Sequence, residues 1–369
     1  MSSDFTPDQK RYLEGFASGL AVARAQRGQL SPGSAVKGEA TGPDAIHIAA
    51  QDRAVAAGGQ LADQEKFKRE LHPFDGYERL KVQAANNEAP KPADNFRWRF
   101  YGLFYTAPAQ NAYMCRLRIP NGILKHWQFA GVADLAERHA GGYAHVTTRA
   151  NLQMREIEPK NAVLMVEAIQ DLGLCSRGAG ADNIRNVTGT PTAGIDPQEL
   201  IDTRPLAREL HYYILNHREL YGLPRKFNIA FDGGGRLGVL EDTNDIGFAA
   251  VRVGPDKPVP AGIYFRMMLG GLTGHMAFAA DAGVLLTPDE VVPAAVAIVK
   301  AFIANGDRTD RHMARMKYLI DRWGIPRLVE EAAAYLPFAW RYAGSDVNEP
   351  RDPIDRAGHI GVHDQAQRG

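Results

Sequence analysis

The chain has 369 residues, of which 45% are hydrophobic and 23% charged, and its 43 basic and 43 acidic side chains give a formal net charge of +0. This composition is typical of a globular protein with two or three domains, and the balanced charge argues against nucleic acid or an anionic membrane as the main partner. Because no apolar run reaches the roughly 18–20 residues that span a bilayer, and no secretory signal opens the chain, we expect a cytoplasmic protein.

The first 75 residues predict a helix followed by a linker. A loose 3.6-residue apolar spacing predicts a helix over residues 5–26. Residues 27–60 are rich in Gly, Ala, Ser and Pro and show little periodicity, which predicts a mobile linker. A short charged helix is expected at 63–71, ending near Pro73.

Residues 76–180 predict an α+β unit. Two short aromatic and β-branched segments, 99–105 and 112–119, read as strands, and the Pro-Asn-Gly sequence at 120–122 predicts a turn. A helix at 126–139, strands at 143–148 and 151–157 and a helix at 160–173 follow. The order strand, strand, helix, repeated once, predicts a sheet backed by helices.

Residues 181–350 predict a second, α/β unit. Helices are expected near 205–219, 288–304 and 310–322, and strands at 226–232, 236–240, 247–252 and 262–269. The glycines at 233–235 predict a hairpin turn, because no P-loop sequence follows them. The tail, 351–369, contains a strand-like fragment at 359–363, whose two histidines give little support for a zinc site.

Four segments place basic side chains beside a strand or turn, interleaved with Thr, Asn and Gly: CRLRIPNG (115–122), VTTRANLQ (146–153), DNIRNVTG (182–189) and LPRKFN (223–228). Since the chain carries no net charge, this clustering is not a by-product of a basic composition. Guanidinium groups bind carboxylates and phosphates bidentately, and several that converge form an electrostatic clamp. The segments therefore predict a pocket for a ligand with several negative charges.

These segments, in this order and at this spacing, resemble the sirohaem-dependent nitrite and sulfite reductases, from about Phe67 to the last residues. The resemblance implies an α+β fold, in which a ferredoxin-like half-domain (76–180) precedes an α/β sirohaem-binding domain (181–350). Residues 351–369 would begin a second half-domain, and the chain would stop before the rest of it and before the cluster domain. The carboxylates on the rim of sirohaem give a physical reason for the basic side chains.

The resemblance also assigns site residues. A first group would hold the substrate anion and support catalysis: Arg116, Arg185, Lys226 and Asn228. A second would bind the cofactor: Thr147, Thr148, Arg149, Gln153, Arg225, Arg315 and Lys317. Sulfite-reducing members tend to have Lys at both positions corresponding to Lys226 and Asn228, whereas nitrite-reducing members tend to have Lys then Asn, so Asn228 favours nitrite.

Two of these assignments compete with plainer interpretations. Arg118, at i+2 from Arg116 on a predicted strand, is either a second site residue or part of an exposed charged face. In the segment DRTDRHMARMKYLIDRW (307–323), Arg308, Arg311 and Arg315 would share one helical face, a pattern typical of a solvated stripe.

The family holds a 4Fe–4S cluster with a C-x5-C pair and a C-x3-C pair, but this chain has only Cys115 and Cys175. We therefore expect the chain alone to contain no cluster and to be inactive. Activity would need a further polypeptide, such as a C-terminal half, and ferredoxin as electron donor. The resemblance implies six-electron reduction of nitrite to ammonia. Sulfite reduction, the chemistry of cobalamin-pathway relatives, and a non-catalytic sirohaem-binding half-protein stay open as alternatives.

Overall fold

The computed structural model of this protein describes residues 41–107, 110–354, 357 and 360–364. The helix expected over 5–26 and the first part of the expected linker lie outside these residues. No helix in the described segments is long and apolar enough to cross a membrane.

The described chain begins with four helices, α1 (Ala45–Ala56), α2 (Asp63–Glu70), α3 (Tyr77–Ala85) and α4 (Pro92–Trp98). The predicted linker over 27–60 is therefore wrong where α1 lies. The α1 segment, AIHIAAQDRAVA, is rich in alanine, which has the highest helix propensity of all residues, and alanine content was mistaken for linker composition. The charged helix predicted at 63–71 is confirmed by α2.

A buried ionic network joins these helices to a segment far along the chain. Arg308 donates through Nη1 to Oε2 of Glu65 over 2.7 Å and through Nη2 to Nδ1 of His47 over 3.1 Å. Lys68 pairs with the same Glu65 and, at 3.4 Å, with Oδ2 of Asp182. Burial lowers the pKa of His47 to about 3, so its imidazole is neutral and can accept from Arg308.

The first sheet has four antiparallel strands in the order β1 (Leu103–Thr106), β2 (Ala112–Arg116), β4 (Asn151–Ile157) and β3 (Ala144–Thr147). Helices α5 (His126–His139) and α6 (Ala162–Asp171) connect and follow the hairpins. Their apolar side chains, among them Val132 and Met165, share a core with Cys115 and Met154 of the strands. The predicted order of strands and helices is confirmed, and so is the α+β fold class.

The second sheet has six strands in the order β10, β9, β8, β7, β6, β5. They are β5 (Thr188–Gly189), β6 (Ile229–Asp232), β7 (Ile246–Val253), β8 (Gly262–Leu269), β9 (Ala280–Leu286) and β10 (Arg341–Tyr342). Strands β5, β6 and β7 are parallel and the others pair antiparallel. The accompanying helices are α7 (Arg204–Asn216), α8 (Val291–Asn305), α9 (Met316–Trp323) and α10 (Ile325–Ala333). The division of the chain into domains at 75, 180 and 350 stays a prediction.

Some predicted elements of this unit are wrong. Residues 236–240 form no strand, and because β6 and β7 run parallel, the glycines at 233–235 do not close a hairpin. Gly234 has φ +80°, and a Cβ on Gly235 would lie 2.4 Å from Oδ2 of Asp196, so these glycines allow a close backbone approach. Residues 360–364 form no strand, and His359 lies outside the described residues.

The helix predicted at 310–322 begins only at Met316, so no solvated arginine stripe exists. Each of its three arginines instead reaches a buried carboxylate from an irregular segment. Arg308 pairs with Glu65, Arg311 with Asp182 and Arg315 with Asp245. Residues 307–315, which carry these arginines, are irregular, so their helical spacing in the sequence was misleading.

Candidate functional site

The floor of the candidate site is a row of side chains across the first sheet. Arg116 of β2 lies directly opposite Gln153 of β4, which lies opposite His145 of β3. Residues in register on neighbouring strands project from the same face, so these three side chains share one side of the sheet. The neighbouring Cys115 and Met154 point into the helix-covered core. The polar face is therefore the one turned away from α5 and α6.

Arg116 is a cation that has no acceptor in the part of the chain that the structure describes. Its guanidinium carbon lies 4.7 Å from the centroid of the Phe104 ring, and its side chain makes no hydrogen bond or ion pair with a described residue. Partial burial and the nearby Arg155 lower its pKa. Arg155, which lies on the same strand face as Gln153, was not singled out from the sequence. A half-buried, unpaired guanidinium beside another cation favours an anionic ligand.

Arg149 is held by protein acceptors on nearly every side. It donates through Nη1 to Oδ1 of Asn244 over 2.7 Å, and through Nη2 to the carbonyls of Asn186 over 3.0 Å and Ile229 over 3.2 Å. Its Nε is buried without a partner in the described chain. Burial lowers its pKa to about 10. Arg149 therefore joins the two sheets, and only its Nε edge is free to meet a ligand.

Hydrogen bonds from Asn186 fix the turn that carries Arg149, residues 147–150. The amide of Asn186 donates to the carbonyls of Arg149 and Ala150 over 2.9 and 3.1 Å. Ala150 takes a left-handed conformation at φ +46°, which completes the turn. Thr147 accepts from the backbone N–H of Arg149 at 3.4 Å, and Thr148 is exposed at the tip. Thr147 and Thr148 thus belong to the turn that carries Arg149, and their role in cofactor binding stays a prediction.

Asn244 and Asp245 position three predicted site residues, and sequence reasoning missed both. Oδ2 of Asp245 accepts from Nη2 of Arg315 and from the backbone N–H of Asn228, each over 2.8 Å. Asp245 is 1% exposed, and burial raises the pKa of its carboxyl. Asn244 and Asp245 lie just before β7. No sequence pattern links Asp245 to Arg315, which is 70 positions further along the chain.

Arg185 is fixed by its own loop. It donates through Nη1 to the carbonyl of Ala179 over 2.6 Å and through Nη2 to that of Ala181 over 2.9 Å. Burial, followed by repulsion from Arg116, lowers its pKa to about 9. The positive charges of Arg185 and Arg116 therefore act on each other, and their assignment to anion binding stays a prediction.

Lys226 and Asn228 flank the fully buried Phe227, so their side chains point to the opposite, accessible side. Neither side chain bonds to a described residue. Burial, then the positive charges of Arg315, Arg185 and Arg225, lower the pKa of Lys226. The same repulsion from Arg311 and Arg315 contributes to the lowered pKa of Arg225, after burial. Lys226 and Asn228, at i and i+2, therefore share one face of this segment.

Two predicted basic residues are used otherwise. Lys317 pairs with Asp321 one turn further along α9, and the structure does not bring it to the cluster. Arg118 does not lie on an exposed face, since it is 1% exposed and donates through Nη1 to the carbonyl of Ile184 over 2.7 Å. Tertiary packing placed Arg118 behind the strand end, so the interpretation as an exposed charged face is wrong.

The basic side chains of the site fit a cofactor that carries several carboxylates, because several of these cations have no protein carboxylate to pair with in the described chain. Arg116, Arg225 and Lys226 have no protein acceptor among the described residues, and Nε of Arg149 and of Arg315 is buried and unpaired. The thiols do not contribute, since burial raises the pKa of Cys115 to about 12 and also raises that of Cys175. Within the described segments, no group of three or more His, Cys, Asp or Glu could hold a metal ion.

Comparison with known families places this fold in a class. Residues 107–172 match the family described as the nitrite/sulfite reductase ferredoxin-like half domain, and residues 180–339 match the one described as the nitrite and sulphite reductase 4Fe-4S domain. The chain therefore belongs to the sirohaem-dependent nitrite and sulfite reductase family, as its sequence predicted.

Individual relatives agree with this membership. The chain is 36% identical to a ferredoxin–nitrite reductase of Leptolyngbya laminosa, over 74% of this chain and 53% of that protein. It is 34% identical to one of Synechococcus elongatus, over 76% and 55%. The solved structure of the Mycobacterium tuberculosis NirA protein has the same fold, with a TM-score of 0.72 at 24% identity over 85% of this chain and 59% of that one. The chain spans about half the length of the curated relatives it matches.

Proposed function

We propose that this chain supplies the sirohaem- and anion-binding part of a ferredoxin-dependent nitrite reductase. The observation that carries the proposal is the trio Arg116, Arg185 and Lys226, three cations whose pKa values are lowered by burial and by neighbouring positive charge, and which form no ion pair with a described residue. Such a cluster costs the folded protein free energy until an anion enters it. The named activity of the relatives gives the reaction, the reduction of nitrite.

The cofactor would be held through its carboxylates by the basic residues at the edge of the sheet. Arg225, the free Nε edges of Arg149 and Arg315, and the amide of Gln153 are available for it, with Thr147 and Thr148 of the turn that carries Arg149. Sirohaem, when bound, would supply the electron-transfer chemistry. Lys317 is a weaker candidate, because it already pairs with Asp321.

The remaining residues would bind nitrite and deliver protons. Arg116 and Arg185 present positive charge that compensates a monoanion in a partly dehydrated pocket. The lowered pKa of Lys226 makes its ammonium a better proton donor, so Nζ can give a proton to an oxygen of the bound anion and be reprotonated from solvent, to which it is exposed. Asn228 adds a hydrogen-bond donor without a second charge, which suits nitrite better than the sulfite dianion.

The same proposal includes an iron–sulfur cluster and an electron donor. A 4Fe–4S cluster needs four thiolates as a rule, whereas these 369 residues contain two cysteines. Its ligands would come from polypeptide outside this sequence, such as a C-terminal half. Ferredoxin would supply the electrons, as the names of the relatives indicate.

The test begins with a sirohaem titration of the chain, alone and mixed with a C-terminal half from a relative, followed by absorption spectroscopy. We expect saturable, stoichiometric binding with at least one of the two samples. Nitrite should then perturb the spectrum of the loaded protein, and the variant Arg116→Gln/Lys226→Gln should need at least about tenfold more nitrite. The matched variant Arg138→Gln/Lys91→Gln changes exposed residues outside the site and should behave as the parent does. Absence of sirohaem binding in both samples would contradict the proposal.

A further inference from the structure

A second cavity, of about 1180 Å³, lies between the ferredoxin-like unit and α7. It is bounded by α5 and α6, by the 173–177 loop and by one face of α7. None of the residues assigned above to sirohaem or to the substrate anion lines it. Its volume is slightly above the range of about 300–1,000 Å³ that is typical of pockets for small organic ligands, so there is room for a whole ligand of that kind.

Arg118 lines this cavity and has one unused edge. Its Nη1 is occupied by the carbonyl of Ile184 at 2.7 Å, but its Nε and Nη2 are buried and have no partner in the described chain. Nε and Nη2 are the two parallel donors on one side of a guanidinium, the side that takes both oxygens of a carboxylate at once. A buried guanidinium with this side unsatisfied is costly, and an oxyanion head group would satisfy it.

His211 of α7 lies on the same cavity wall. It is 5% exposed and forms no hydrogen bond with a described residue, and its Nδ1 is buried and unpaired. Burial, then the charge of Arg118, lower its pKa to about 3, so the ring is neutral and carries one N–H that can donate. Arg118 and His211 both line the cavity, and together they have three buried nitrogen atoms without a partner in the described chain.

The rest of the lining suits an anion with an apolar body. Phe74, Trp127 and Tyr212 supply aromatic surface. Three more cations, Lys125, Arg177 and Arg208, line the cavity, and none makes a salt bridge with a described residue. The single carboxylate in the lining, Glu167, accepts from the hydroxyl of Tyr77 at 2.7 Å. Cations thus outnumber carboxylates four to one in a partly aromatic enclosure.

We propose that this cavity binds an amphipathic organic anion, whose carboxylate or phosphate head is held by Nε and Nη2 of Arg118 with help from His211, and whose aromatic or aliphatic body packs on Trp127 and Tyr212. This is a ligand site in addition to the sirohaem and nitrite sites of the proposed function, and it does not depend on them.

The experiment uses calorimetric titration of the full chain, without sirohaem, with three matched probes. They are 2-naphthoate, 2-naphthyl phosphate and the uncharged 2-naphthamide. The two anions separate a carboxylate site from a phosphate site, and the amide measures what the ring contributes alone. We expect saturable binding of at least one anion, about tenfold or more tighter than binding of the amide.

Two variants locate the binding. Arg118→Lys keeps the charge but removes the fork, and it should weaken binding of the anion at least about tenfold. Arg118 is buried, so its variant can fail to fold. Two variants of exposed residues, Trp127→Ala and Arg208→Gln, therefore test the same site. Each should weaken binding several-fold without loss of structure. Arg116→Gln removes a cation of the proposed substrate-anion site, which does not line this cavity, and should leave the affinity for the probes unchanged.

Three results would overturn the proposal. They are no saturable binding of either anion, equal affinity for the anions and the amide, and loss of binding in Arg116→Gln while the variants at Arg118, Trp127 and Arg208 bind as the parent does. A crystal structure with the tighter anion supports the proposal if the head group lies within hydrogen-bond distance of Nε and Nη2 of Arg118, and contradicts it if the head group lies elsewhere.

Discussion

Arg149 and Asn244 are joined by a hydrogen bond of 2.7 Å from Nη1 to Oδ1, and this bond links the turn of the first sheet to the segment before β7 of the second. Asn244 is itself fixed, because its amide donates to the carbonyls of Leu240 and Glu241 over 3.1 and 3.2 Å. The guanidinium of Arg149 is thus oriented by the protein before any ligand arrives. A preoriented cation loses little conformational entropy on binding.

This bond should be measurable as a coupling energy. Arg149→Ala and Asn244→Ala should each lower the free energy of unfolding, by about 2–4 kcal/mol for the arginine, since its removal leaves buried carbonyls without donors. In a double-mutant cycle by urea denaturation, we expect a coupling of about 1–3 kcal/mol. Simple additivity of the two single changes would show that the bond does not connect the sheets energetically.

Gly102 lies so close to the backbone of Arg116 that a side chain at this position would clash. Its φ is +81°, and a Cβ there would lie 2.5 Å from the carbonyl oxygen of Arg116. Gly58 has a similar φ of +85° but no atom within 4 Å of its Cβ position, so Gly58→Ala is a matched control for backbone strain alone. We expect about 1–2 kcal/mol of destabilisation for Gly58→Ala and about 2–5 kcal/mol for Gly102→Ala, measured by urea denaturation. Equal losses would mean that the strand end yields to the added methyl.

Glu241 should make stability depend on pH. Burial, then the charge of Asp232, raise its pKa from 4.5 in the unfolded reference to about 7. A raised pKa contributes stability that is fully present below pH 4.5 and is lost as pH rises through 7, because the folded state binds the proton more tightly. The expected loss across this window is about 1–3 kcal/mol. Glu241→Gln should flatten the profile from urea denaturation at several pH values, whereas the exposed Glu209→Gln should not.

Asn228 should decide between two oxyanions. In a complete enzyme that carries this segment, Asn228→Lys would place a second ammonium beside Lys226 on the accessible side of the chain. We expect the ratio of kcat/KM for sulfite to that for nitrite to rise, because a dianion gains more from the added charge. Asn228→Gln adds length without charge and serves as the control. An unchanged ratio in the lysine variant would mean that Asn228 does not face the substrate.

The isolated 369 residues should contain no iron–sulfur cluster. Cys115 and Cys175 are two thiols and cannot provide four thiolates. We expect neither labile sulfide nor ammonia formation from nitrite with reduced ferredoxin. Activity should return only with a polypeptide that carries the C-x5-C and C-x3-C ligands. Four irons per purified chain, or ammonia formation by the chain alone, would refute this expectation.

The elements that could be predicted from the sequence are those that depend on local periodicity. The order of strands and helices around Arg116 and Gln153 follows from alternation and from 3.6-residue spacing, and both are properties of a short window. The parallel pairing of β6 with β7 is not encoded in this way, and a hairpin was predicted there instead. The carboxylates that hold Arg308, Arg311 and Arg315 were also missed, because an ion pair such as Arg308–Glu65 joins residues 243 positions apart and leaves no pattern in either segment.

The ionic network around Glu65 determines where this chain can be shortened. A polypeptide that began at residue 76, where the half-domain was predicted to begin, would lack both Glu65 and His47. Arg308 would then keep only the carbonyls of Ile303 and Gly222 as partners. It would also uncover the apolar side of α8, against which α1 packs. Residues 45–70 are therefore part of the minimal folding unit, and expression of soluble material should require them.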